Sequence, residues 1–363
     1  MPRRAPSDTH DGMFAPRPDL LARLPHDQTP LLVVAIDTEE EFDWTKPFAR
    51  ESTGVGHIRA QSRAQAVYAR FGVKPLYALD YPVATQPQGF EPLREWAQAG
   101  ACEIGTHLHP WVSPPFDEPV NNRNSYPGNL PPSLERAKLT QLTDAIAQRF
   151  GRAPTVYRAG RYGYGPNTAA ILGGLGYQVD TSVVPRTNFG PDEGPDFSDC
   201  GIDPYWIDRE GGLLEVPLTV GWTGLLAAAG PWLQPLCRTP QALKLHLPGV
   251  LARANLFERI RLTPEGMTFD ELRRLTKVLL ARGQRLFNFT YHSPSLEPGH
   301  TPYVRSAGEL QRFVGTIEKY LEFFFGEVGG GAATFHDVRA LCLSQRRIRA
   351  GATADVGPVA SAR

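Results

Sequence analysis

Between Asp37 and Asp43, five acids fall within seven positions: Asp37, Glu39, Glu40, Glu41 and Asp43. They follow directly on six apolar residues, Leu31 to Ile36. Carboxylates set against an apolar core repel one another and resist desolvation unless a cation or hydrogen bonds compensate them. A metal ion or an arginine is the simplest compensation; a solvated acidic turn is the plain alternative. Compensating groups occur further along. His107 and His109 are separated by one residue, which in extended backbone puts both imidazoles on one face. With Glu39 as an oxygen ligand they make a set of two histidines and one carboxylate, with positions open for water and substrate. Asp37, two residues before Glu39, projects to the same face and can stay free as a base. An H-x-H pair by itself also occurs in surface loops, so the acids carry much of this reading.

His292 stands apart from that pair. It follows the apolar and aromatic run Phe287 to Tyr291 and opens a Ser-Pro-Ser turn. An imidazole at a strand end, away from the metal ligands, suits proton donation to a leaving group; the alternative is a structural histidine bonded to a carbonyl. Arg158 and Arg161 can orient Asp37 or another acid by bidentate pairing, although one of the two is expected to be ordinary surface charge. The glycines from Gly160 to Gly165 let backbone N–H groups approach a ligand oxygen. Trp44, Trp111, Tyr126, Tyr162, Trp206 and Trp222 can stack on a sugar ring; Trp111 is the favoured one, the rest being expected in core or rim packing.

These residues need strands that end side by side. Leu31 to Ile36 reads as a strand buried on both faces. Further strands are expected at Pro75 to Leu79, Cys102 to Thr106, Thr155 to Arg158, Gln178 to Ser182, Leu213 to Leu218 and Arg285 to Tyr291. Helices are expected at His57 to Phe71, Glu91 to Ala99, Leu134 to Phe150, Asn167 to Leu175, Phe269 to Ala281 and Ser306 to about Phe325, the last opened by a Ser306/Glu309 capping box. Leu108 to Pro132 reads as a long loop, of the kind that is functional in compact domains. The alternation implies parallel strands with crossover helices, and six to eight such units suit a barrel, whose chemistry sits at the C-terminal ends of the strands. Residues 1–29 read as a polar, Pro-rich lead-in, 30–345 as one catalytic domain, 222–266 as an inserted subregion of irregular chain with short helical pieces, and 346–363 as a disordered tail.

Composition excludes several classes. In 363 residues Lys plus Arg is 38 and Asp plus Glu is 38, so no basic excess is available for a nucleic acid. Cys102, Cys200, Cys237 and Cys342 form no C-x-x-C pair, which indicates reduced thiols and a cytoplasmic location. The first residues lack the apolar core of a secretory signal, and no stretch is long and apolar enough to span a membrane. No phosphate-binding glycine loop appears, which disfavours a nucleotide-dependent enzyme.

Taken in order, the motifs resemble the polysaccharide deacetylase superfamily, also called the NodB-homology domain or carbohydrate esterase family 4. AIDTEEEFDW resembles its first motif in a spaced D-x-E form, EIGTHLHPW the histidine motif, YRAGRYG the Arg-x-x-x-x-Gly motif, LLEVPLT the apolar fourth region and FNFTYHSPS the last motif. The resemblance spans roughly residues 30 to 340. It implies an α/β fold, a distorted (β/α)7 barrel, with a divalent metal, usually zinc, and hydrolysis of an acetyl amide or ester on a carbohydrate or polysaccharide precursor. By motif, Asp37 matches the base, Glu39, His107 and His109 the metal ligands, Arg158 the residue that orients the base, the Tyr162 N–H the oxyanion donor and His292 the acid. Trp111 and Arg161 are the expected substrate contacts. Two departures stand out: the histidines are two apart instead of four, and Glu39 stands where many members have Asp. Glu40 and Glu41 are replacement ligands should Glu39 point away. A related hydrolase of small cyclic amides and a catalytically silent sugar-binding barrel remain as alternatives; the oligomeric state is open.

Overall fold

The computed structural model describes residues 14–237, 239, 242, 244 and 246–354. Its central strand, β1 (Leu31–Thr38), is buried from Leu32 onward, as the apolar run requires. Seven strands run parallel, laterally ordered β10 (Leu286–His292), β1, β2 (Leu76–Leu79), β3 (Glu103–Leu108), β4 (Val156–Ala159), β5 (Val179–Asp180) and β7 (Leu214–Glu215). β6 (Tyr205–Trp206) adds an antiparallel edge to β7, and β11 (Gly331–Ala332) pairs with the start of β1. The sheet curls into a half-barrel with helices around it, the distorted barrel expected from the motifs. No ladder joins β7 to β10. Side chains and single backbone bonds bridge the gap: Asn288 Nδ2 donates to Thr181 Oγ1 (2.9 Å), the Asn288 N–H to Thr219 Oγ1 (2.8 Å) and the Thr290 N–H to the Leu262 carbonyl (3.1 Å).

Alternation along the strands decides which residues reach the site. In β1, Leu32, Val34 and Ile36 pack with the residues of the surrounding helices, whereas Val33 and Ala35 join an inner cluster with Leu76, Ala78, Val156, Val179 and Leu286. The helix Phe335–Ala354 contributes Phe335 and Val338 to that inner cluster. Asp37 continues the inner row of β1. The same parity carries His107, Arg158 and His292 inward from β3, β4 and β10, and the register pairs Asp37 with His292 and His107 with Arg158.

Several boundaries differ from the sequence expectation. The first helix splits into a 3-10 segment, Gly56–Gln61, and an α-helix, Ser62–Arg70. A helix at Tyr81–Thr85 is additional, opened by Asp80, whose side chain accepts from the Val83 N–H. The next begins at Pro87, because proline at a first helical position costs no hydrogen bond. The 108–132 loop holds three 3-10 turns. Ser306 caps its helix, but Glu309 accepts from the Arg305 N–H instead of closing the box on Ser306. The 222–266 subregion has its short helices, Gly230–Cys237 and Leu247–Arg253, and also an antiparallel ribbon, β8 (Val220–Thr223) with β9 (Glu258–Arg261). Residues 346–354, expected in the tail, continue the last helix. The ends of the expected lead-in and tail, 1–13 and 355–363, lie outside the described residues. Among the described residues no helix is long and apolar enough to cross a membrane.

Candidate active site

The C-terminal ends of β1, β3, β4 and β10 open on a cavity of about 340 Å³. Asp37, Glu39, His107, His109, Trp111, Arg161, Tyr162 and His292 border it, and Arg158 lies behind Asp37. Residues far apart in the chain therefore meet at one cavity mouth.

Glu39 Oε2 lies 3.5 Å from Nε2 of His107 and 3.5 Å from Nε2 of His109. All three side chains are buried, and their ligand atoms fall within 4.8 Å of one another. The other oxygen, Glu39 Oε1, is buried and has no hydrogen-bond partner among the described residues. Both rings are fixed from behind. His107 Nδ1–H donates to the Arg158 carbonyl at 3.0 Å, which leaves the Nε2 lone pair facing Glu39. His109 Nδ1 bonds Glu40 Oε2 at 2.7 Å, and the other Glu40 oxygen accepts from Trp111 Nε1–H at 2.7 Å. The Glu40 N–H in turn donates to Asp80 Oδ2 at 2.5 Å. Burial lowers the pKa of both histidines, that of His109 to about 4, so both are neutral at neutral pH, the form in which an imidazole can bind a metal. Burial pushes Glu39 up to about 7 against the opposing pull of His292 and His107. A divalent cation among a carboxylate and two free imidazole lone pairs would remove that penalty, so the donor set fits one. Glu40, Asp80 and His109 also approach one another, but both Glu40 oxygens are already taken by donors, so Glu40 supports His109.

Asp37 has the opposite character. Burial alone would raise its pKa, but Arg158, then His107 and His292, hold it below its ordinary value. Arg158 Nε pairs with Oδ1, and the other guanidinium nitrogens donate to the Thr181 carbonyl and Thr290 Oγ1, 2.9 Å each. This buried arginine, bonded at each of its three nitrogens, keeps Asp37 ionised. His292 Nε2 is 3.5 Å from Asp37 Oδ2. Glu265 grips His292 twice, at Nδ1 (2.8 Å) and at the backbone N–H (3.1 Å), and accepts from the Ser295 hydroxyl (2.6 Å). Burial works against a charged His292, yet Glu265, Glu39 and Asp37 raise its pKa well above the ordinary value. An ionised carboxylate and a protonated imidazole thus lie side by side.

The loop after β4 is tightly constrained. Arg161 and Tyr162 have φ of 52° and 60°, a left-handed pair that is costly without glycine. A Cβ on Gly160 would stand 2.3 Å from the Leu108 carbonyl and 2.5 Å from His109 Cδ2, so only glycine lets this loop lie against the end of β3.

Of the two arginines offered for Asp37, Arg158 makes the pair. Arg161 instead pairs with Asp192, donates to Asn122 and lies over the Tyr126 ring at 4.0 Å, forming cavity wall. Trp111 borders the cavity but is 2% exposed, and His109 and Phe48 stack on it at 4.2 Å each. Its ring is occupied by the protein as a prop for His109. Trp44, Tyr126 and Tyr162 border the cavity; Trp206 and Trp222 do not. Sequence reasoning missed Asp80, Glu265 and the cavity-lining Arg261. It named Glu40 only as a spare ligand. No local spacing marks Asp80 or Glu265, since each acts on a strand end distant in the chain.

No family model matches the sequence, and no curated protein matches it. Solved structures do resemble it. A protein of Mycobacterium smegmatis assigned to the polysaccharide deacetylases aligns over 91% of this chain and 96% of its own, at 17% identity and a TM-score of 0.53. One of Pseudomonas aeruginosa PAO1, assigned in the same way, aligns over 93% and 97%, at 14% identity and a TM-score of 0.50. The fold is the polysaccharide deacetylase fold. At these identities the likeness speaks for architecture, and the chemistry has to be read from the side chains.

Proposed function

We propose that this protein is a metal-dependent hydrolase that removes an acetyl group from the nitrogen of an amino sugar or a related carbohydrate intermediate. The observation that carries this reading is the ionised Asp37–Arg158 pair placed beside the Glu39, His107 and His109 donor set, with His292 within 3.5 Å of the same aspartate. Glu39, His107 and His109 would hold the cation, and zinc suits one carboxylate and two imidazoles. When bound, the ion supplies Lewis acidity, which polarises a carbonyl and makes water a stronger acid. Asp37 accepts the proton of the attacking water, held ionised and in place by Arg158. The Tyr162 N–H, in its left-handed loop, is the candidate donor to the developing oxyanion. His292, kept protonated by Glu265, delivers a proton to the departing nitrogen.

A cavity of about 340 Å³ lies at the small end of ligand sites. It suits a single ring better than a long stretch of polymer. The same size admits a small cyclic amide, the alternative that shares this chemistry. The test is a substrate screen with elemental analysis of the purified protein: N-acetylated monosaccharides, their O-acetyl counterparts and cyclic amides, with and without added zinc. Acetate release that depends on metal supports the reading. Turnover of cyclic amides alone, or acetate release at full rate in metal-stripped protein, overturns it.

A further inference from the structure

The cations around the cavity are matched by acids, with one exception. Arg158 pairs with Asp37, Arg161 with Asp192, and Lys46 with Asp43 at 3.0 Å. Arg261 borders the cavity too, yet among the described residues no carboxylate pairs with it. Its hydrogen-bond partner is a phenol: Arg261 Nη1 donates to Tyr162 Oη at 3.1 Å. The position follows from the inserted ribbon. Ile260 of β9 is fully buried in the core, and strand alternation turns Arg261 the other way, half-buried, to the cavity. The ring of Tyr162 has Arg158 Cζ 5.3 Å and Arg261 Cζ 5.4 Å from its centroid. Arg261 is thus one aromatic ring away from the arginine that holds the base.

A guanidinium stays charged at any physiological pH, and one that is half-buried at a cavity wall gains most from a bound anion. We propose that Arg261 forms an anion subsite, so that the substrate carries a carboxylate on the sugar that bears the acetamido group. This rests on the deacetylase reading and narrows its substrate class. The charge favours a singly ionised group. Because Arg261 donates to the Tyr162 oxygen, the Tyr162 O–H is free to donate in turn, and guanidinium plus phenol match the in-plane oxygens of a carboxylate. A phosphate dianion would call for a second cation, and the other lysine and arginine side chains that line the cavity, Lys46 and Arg161, are already paired with Asp43 and Asp192.

The test uses three sugars that differ at one carbon: N-acetylglucosamine, 2-acetamido-2-deoxyglucuronic acid and N-acetylglucosamine 6-phosphate. With the zinc-loaded full chain, kcat/KM for the uronic acid should exceed that for the neutral sugar roughly 10- to 100-fold, as a charge-assisted hydrogen bond gives. That ratio should fall at least tenfold in Arg261→Met and recover in part in Arg261→Lys. An equal loss on all three sugars in Arg261→Met would show that Arg261 only holds Tyr162 in place, and would overturn the subsite. A preference for the phosphate over the uronic acid would overturn the choice of carboxylate. Calorimetric binding of the uronic acid and the neutral sugar, compared between wild type and Arg261→Met, keeps the two readings apart. Arg261-dependent binding without turnover would sink the deacetylase reading and leave the subsite standing; equal binding of both sugars by wild type would sink the subsite.

Discussion

Replacing Glu40 by glutamine tests how the proposed metal ligands are held. Glu40 accepts two buried hydrogen bonds, from His109 Nδ1–H and Trp111 Nε1–H, each at 2.7 Å. A glutamine carbonyl serves one of these donors, and its NH2 must face the other. A buried donor left without an acceptor costs about 1–3 kcal/mol. That cost falls on the ring that presents Nε2 toward Glu39, so it should appear chiefly as lost metal affinity. Loss of such a carboxylate behind a histidine ligand weakens metal binding about 10- to 100-fold, equivalent to about 1.4–2.7 kcal/mol. The two estimates agree in size. Zinc affinity is read by chelator competition, and urea unfolding of the metal-free protein reports any general loss of stability. Adding Trp111→Phe to the Gln variant removes the competing donor and frees the glutamine carbonyl for His109. The double variant should therefore bind zinc more tightly than Glu40→Gln alone, with a coupling of about 1 kcal/mol. A Glu40→Gln protein that binds zinc within twofold of wild type, or a double variant no tighter than the single, would refute this account of His109.

Asp37→Asn should lower kcat/KM by about 10²–10⁴ while zinc content stays at the wild-type level, because the change removes a base and not a ligand; near-normal turnover of a substrate that the native protein hydrolyses would show the base to be elsewhere. Glu265→Gln removes the main counter-charge of His292, so the alkaline limb of the pH–rate profile, where the acid loses its proton, should move to lower pH; an unmoved limb excludes His292 as that acid. Glu135 is buried, with one oxygen on the Thr168 hydroxyl and the other without a partner among the described residues, and burial raises its pKa from 4.5 to about 7. With the folded value above the unfolded one, its contribution to stability is complete below about pH 4 and is lost as the pH rises through 7. The gain of Glu135→Gln over wild type should grow by up to about 3 kcal/mol between pH 4 and pH 8, read by urea unfolding; a difference that does not change with pH contradicts it. Gly160→Ala drives a methyl into the Leu108 carbonyl and His109 Cδ2, and should lower stability by about 1–3 kcal/mol together with zinc affinity; an unchanged urea midpoint would show that the loop yields freely.

The residues that meet at the cavity were legible because strand alternation is a strong local rule. Once Leu31–Ile36 is a buried strand, Asp37 must continue one of its faces, and His107 and His109 must share a face whatever the barrel does. Groups that work across the fold left no such trace. Glu265 follows a ribbon strand, Glu-Arg-Ile-Arg, with a single apolar residue, too few for a periodicity; both the strand and the acid that grips His292 therefore escaped notice. Asp80 caps a five-residue helix that was not expected from the sequence, and only the folded chain shows that its second oxygen takes the Glu40 N–H. Trp111 was singled out for its chemistry, yet its ring is covered, because His109, two residues earlier, and Phe48 stack on it.

The acidic run shows where in the site a cation could be held. Each acid in it meets a different fate. Asp37 is neutralised by Arg158. Glu40 spends both oxygens on His109 and Trp111. Glu41 accepts from the His57 ring and backbone, which hold it at about 2. Asp43 sits at the surface beside Thr45 and Lys46. Burial presses both Glu39 and Glu40 toward protonation, each raised to about 7, but Glu39 is the one that faces two neutral imidazoles with an oxygen bare. In a buried set of this kind a cation would supply the compensating charge, between the carboxylate and the two lone pairs aimed at it.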